Sequence, residues 1–78
     1  MKKIITETGS VYENDGDRVR RVGKHKLRRD GEWLQLLEPV HVKVGHSVKM
    51  VLEPLGDGVA TIRTTSKVVE IIEEKEIQ

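Results

Sequence analysis

Between Arg18 and Arg29 the chain reads RVRRVGKHKLRR: seven of these twelve residues are Arg or Lys, one is His, and none is acidic. A run of like charge repels itself, so it sits in solvent and commonly meets a polyanion. Arg outnumbers Lys five to two. A guanidinium grips phosphate through a planar fork and stacks on rings, which an ammonium does not do. Tyr12 precedes the run and Trp33 follows it, and a flat ring beside cationic charge suits a phosphate-bearing ligand with a base to stack. The candidate ligand-binding residues are therefore Tyr12, Arg18, Arg20, Arg21, Lys24, Lys26, Arg28, Arg29 and Trp33. The competing reading of the run is a solvated loop that pairs with the acidic end of the chain.

The remaining chemistry-bearing residues suggest no catalytic site. Ser10, Ser47 and Ser66 sit in turn-like contexts outside any nucleophile-elbow pattern. His41 and His46 are separated by Gly45 and lack a companion Asp or Cys to complete a metal site. Gly56-Asp57-Gly58 reads as a hairpin rather than a phosphate cradle. The expectation is a non-enzymatic protein without cofactor or metal.

Those side chains must be held by a small β domain. Seventy-eight residues form one domain, and a chain of this length buries only about 60% of its unfolded surface. Val, Ile and Thr are abundant, and turn residues recur at short intervals, the mark of many short strands. The expected strands are Lys3–Thr8, Ser10–Asn14, Arg18–Val22, Val40–Val44, Ser47–Glu53, Val59–Thr64 and Lys67–Ile72. Trp33–Glu38 reads as either a strand or a short helical turn. Asn14-Asp15-Gly16-Asp17 and Pro54-Leu55-Gly56-Asp57-Gly58 are hairpin signals. In Ser10–Asn14 the period of two puts Val11 and Glu13 on one face and Tyr12 on the other. In Arg18–Val22 it groups Arg18, Arg20 and Val22, with Val19 and Arg21 opposite. Six or seven antiparallel strands close most simply into a small all-β barrel or a two-sheet sandwich. One β domain spans residues 1–78, with 73–78 an acidic tail that frays or turns helical.

The net charge of +1 hides an asymmetry: residues 18–29 carry +7, while residues 68–78 hold four Glu and one Lys, giving −3. Opposed blocks favour local steering over a nonspecific polycation. A small aliphatic core in a chain that is 35% charged gains stability by self-association, so a homo-oligomer is expected. The absence of cysteine fits a reducing compartment. No signal-peptide pattern or membrane-length apolar run occurs. These features together predict a cytoplasmic protein that does not engage membranes.

The segments TETGSVYE, RVRRV, DGEW and TTSKVVEI resemble, over most of the chain, small phage-encoded β proteins that counter host defence. The resemblance implies a place in the host-cell cytoplasm. One strategy in that group is the anti-CBASS sponge, an oligomer that sequesters a cyclic dinucleotide immune signal. The likeness carries no pocket residues over. The reading is thus a binding protein for an anionic nucleotide. The alternatives are a small nucleic-acid-binding barrel and an inhibitor that docks on an acidic host protein.

Overall fold

The structure, a computed structural model, describes residues 1–22, 31–54 and 58–73. It is all-β. The strands are β1 (Lys2–Thr6), β2 (Val11–Asp15), β3 (Arg18–Val22), β4 (Leu34–Gln35), β5 (Lys49–Leu52), β6 (Thr61–Thr64) and β7 (Val68–Glu73). Five of them form an antiparallel sheet in the order β4-β3-β2-β1-β7, and β5 and β6 form a two-stranded hairpin.

The tightest turn fixes the register that matters most. β2 and β3 are joined by Gly16 and Asp17 alone, with Asp15 opposite Arg18, Glu13 opposite Arg20 and Val11 opposite Val22. Gly16 has φ +61°, a conformation that costs a residue with a Cβ energy and costs glycine none. The buried Asn14 holds the turn from within: its Nδ2 donates to the carbonyls of Gly16 and Arg18 at 3.2 and 2.9 Å.

Backbone hydrogen bonds stitch the hairpin to the larger sheet on both sides. Beyond β4, Leu36 bridges Leu52, the Leu37 amide donates to the Val51 carbonyl, and the Glu53 amide donates to that of Gln35. On the other side Thr65 donates to Val48, Val68 donates to His46, and Gly45 donates to Val68. β6 and β7 lie in different sheets, and the short stretch 65–67 bends the chain from one to the other, a common way to turn the corner between packed sheets. Thr65 makes the bend: its buried Oγ1 accepts from the Val48 amide at 2.9 Å and donates to the Ser66 carbonyl at 2.6 Å.

The enclosed core is aliphatic, with Ile4, Val19, Leu34, Leu36, Val48, Met50, Leu52 and Val68 around Tyr12. The expected strand at Val40–Val44 does not form. Val40 and Val42 pack against the core from an irregular segment, while Val44 is exposed. Alternation reports which side chains face inward, and it leaves open whether the backbone finds a partner strand. Trp33–Glu38 contributes a two-residue strand and the Leu36 bridge rather than a helical turn. The second hairpin forms between β5 and β6, with residues 55–57 of its loop outside the described residues, as is the tail from 74 to 78.

Candidate functional site

The site lies on the outer face of the five-stranded sheet, across β2, β3 and β4. Period-two alternation puts Arg18 and Arg20 on that face. The β3–β4 register sets Arg18 opposite Gln35 and Val19 opposite Leu34. One residue further on, the same register brings Trp33 beside Arg20. The guanidinium carbons of Arg18 and Arg20 lie over the Trp33 ring, 4.5 and 4.6 Å from its centroid. Each such contact is worth about 0.5–1 kcal/mol where solvent reaches it.

Two carboxylates on β2 complete the arrangement. Arg18 Nη2 donates to Asp15 Oδ2 at 3.0 Å, and Arg20 Nε donates to Glu13 Oε1 at 2.7 Å. The two ion pairs differ in exposure. Both side chains of the Arg18–Asp15 pair are 49% exposed, whereas those of Arg20 and Glu13 are 34% and 11% exposed. An exposed pair contributes about 0–1 kcal/mol, so Arg18 and Asp15 separate at little cost. The Arg20–Glu13 pair is a structural brace. It spans the hairpin, and a largely buried carboxylate needs its charge partner.

This order of acid, guanidinium and ring refines the sequence expectation. Trp33 is half-buried on the outer face rather than in the core. Its ring carries two guanidiniums, so it backs them and is not an open platform for a base. The flat exposed surface presented to a ligand is the Arg18 guanidinium, which can itself stack on a base.

Next to Arg18 the surface opens into a cleft of about 330 Å³ lined by Gly16, Asp17, Gln35, Leu36, Leu37, Glu38 and Pro39. Gln35 Nε2 donates to the carbonyls of Asp17 and Leu36 at 3.1 and 3.2 Å, which joins its two walls. The volume lies at the lower end of the range for small-molecule sites. Two acidic residues, Asp17 and Glu38, are among those lining the cleft, which gives this end a negative character.

Not every candidate joins the cluster. Tyr12 is 8% exposed and belongs to the core, on the face opposite Arg18 and Arg20, so it offers no ring to a ligand there. A core poor in aromatics uses its single tyrosine as filling. Arg21 is the register partner of Tyr12; it is half-buried, and its Nη2 donates to Ser10 Oγ at 3.4 Å. Lys24, Lys26, Arg28 and Arg29 lie outside the described residues, as does any contact between the basic run and the tail beyond Glu73.

Glu13 and Asp15 are the members that sequence reasoning passed over. Their signal was present: with a two-residue turn at Gly16-Asp17, each acid stands directly across from an arginine, and such opposite-charge pairs stabilise antiparallel strands. No family model, curated protein or solved structure matches this chain.

Proposed function

We propose that this protein is a non-catalytic binding module that captures an anionic nucleotide on the outer face of β3 and β4. The reading rests on one observation above all, the pair of guanidiniums stacked at 4.5 and 4.6 Å on a single half-buried ring. Arg18 takes the phosphate, exchanging Asp15 for it. Arg20, braced by Glu13, fixes the ring. The neighbouring cleft, with Gln35, Asp17 and Glu38, receives the base, whose exocyclic and ring N–H groups match its acceptors. The cations of residues 24–29 follow β3 directly in the chain and raise the local concentration of anions. Together with the resemblance to phage anti-defence proteins, this chemistry makes a cyclic dinucleotide the first ligand to test and sequestration of that signal the proposed role.

The test is a thermal-shift panel of mononucleotides, cyclic dinucleotides and short oligonucleotides at low and high salt. A ligand that binds only the folded state raises the melting temperature. A rise with a cyclic dinucleotide that persists at high salt supports the reading. A rise confined to oligonucleotides and abolished by salt replaces it with nucleic-acid binding, since counterion release gives that steep dependence. No rise with any ligand refutes both.

A further inference from the structure

The β5–β6 hairpin, together with the Leu36 segment bridged to it, carries an apolar row on its exposed face. Leu36 bridges Leu52, so the next residue, Leu37, falls in line with Val51, and Val51 is the register partner of Ile62. Leu37, Val51 and Ile62 therefore make one apolar row across three chain segments on the outer face. Leu37 is 53% exposed, Ile62 is 59% exposed, and Val51 between them is half-buried.

The row ends at β6, and among the described residues β6 pairs with β5 alone. Alternation in an antiparallel ladder determines which backbone groups remain on its outer edge. Thr65 donates to Val48, so Arg63 and Thr61 turn their backbone groups toward β5. Those of Ile62 and Thr64 point to the open edge. On β5 the parity agrees: Val51 accepts from Leu37 and Glu53 donates to Gln35, away from β6.

We infer that this edge joins a second copy of the chain by antiparallel β6–β6 pairing about a two-fold axis through Ile62. A two-fold perpendicular to the sheet keeps each face on its own side, so only residues of equal parity meet. The register centred on Ile62 sets Ile62 against Ile62 of the partner subunit and Thr64 against Ala60 of the partner subunit. Both pairs use the outward backbone groups. It also runs the apolar row without a break from Leu37 through Val51 and Ile62 to the partner's Ile62, Val51 and Leu37. The next register of the same parity, centred on Arg63, would oppose two like charges and break the row. Charge and apolar continuity thus select one alignment. The product is a continuous β5-β6-β6-β5 sheet, bridged at each outer β5 to the Leu36 segment of its own chain, with no exposed β6 edge left. The pairing is isologous, so it closes at two copies and does not propagate.

The chain has no cysteine, which makes the test specific. In a hydrogen-bonded antiparallel pair the facing Cα atoms lie about 5.5 Å apart, inside the span a disulfide bridges. Under mild oxidation Ile62→Cys should run as a covalent dimer, while Lys49→Cys, two strands from the axis, should remain monomeric. Sedimentation of the unmodified full chain should give twice the monomer mass. Ile62→Lys, exposed and outside the core, should halve that mass while retaining the wild-type circular dichroism. A wild-type monomer at high micromolar concentration, a dimer that survives Ile62→Lys, or equal cross-linking of the two cysteine variants overturns the inference.

Discussion

The Arg20–Glu13 brace makes an asymmetric prediction. Glu13 is 11% exposed and Arg20 34%, so the two partners do not share the cost of separation equally. Arg20→Ala leaves a carboxylate nine-tenths removed from water without its guanidinium. Breaking a fully buried pair in this way costs about 3–5 kcal/mol. Here Arg20 is one-third exposed, and Lys3 stands opposite Glu13 on β1 as a second cation, which brings the figure down to about 2 kcal/mol, near the range for a hydrogen bond to a charged group. In a domain of this size that corresponds to a fall in Tm of roughly 8–16 °C. Glu13→Gln keeps an acceptor of the same shape, and the released charge sits on the partner that reaches solvent, so its cost is about 1 kcal/mol. Combining the two changes neutralises the stranded acid, and the double variant should recover part of the loss caused by Arg20→Ala. Urea denaturation of the four proteins checks all of this. If Glu13→Gln destabilises as much as Arg20→Ala, or if the double variant is strictly additive, the burial argument is wrong.

Two further predictions concern the elements that hold the site in place. Asn14→Ala removes two hydrogen bonds to the turn carbonyls and should cost about 1–2 kcal/mol, seen as a lower urea midpoint with an unchanged slope. Thr65→Val preserves shape but leaves the buried Val48 amide without its acceptor. Its expected cost is about 1–3 kcal/mol, and faster hydrogen exchange at Val48 should accompany it.

Much of the scaffold was legible in the sequence because local chemistry and global pairing agree. The Asn-Asp-Gly-Asp turn, the alternation in RVRRV and the closing KVVEII all specify strands that the sheet then uses. Arg18–Val22 runs over the expected residues, and the separation of Tyr12 from Glu13 follows from the period of two. Val40–Val44 shows where pattern fails, since its inward valines satisfy the core without any strand partner. At the site, the two arginines on one face were readable from spacing alone. Trp33 was named with them because it follows the basic run, but that its ring lies under both guanidiniums was not readable, because it depends on the β3–β4 register, made across a segment whose sequence shows no tight turn. Tyr12 went to the core for a reason that composition hints at and spacing cannot decide. With one Trp and one Tyr in the chain, only one ring was left for the surface.

The most direct test of the central claim uses Trp33, the only tryptophan in the chain, as its own reporter. Tryptophan fluorescence is followed while a cyclic dinucleotide is titrated into the wild-type protein and into Arg18→Ala. The Arg18–Asp15 pair is exposed on both sides, so with the Trp33 contact also lost the variant should keep wild-type stability within about 2 kcal/mol. The wild type should show a saturable change, and the variant an affinity at least ~10-fold weaker, the loss of one charged hydrogen bond to phosphate. A wild-type signal that never changes, or equal affinity in the two proteins, would contradict nucleotide capture at Arg18.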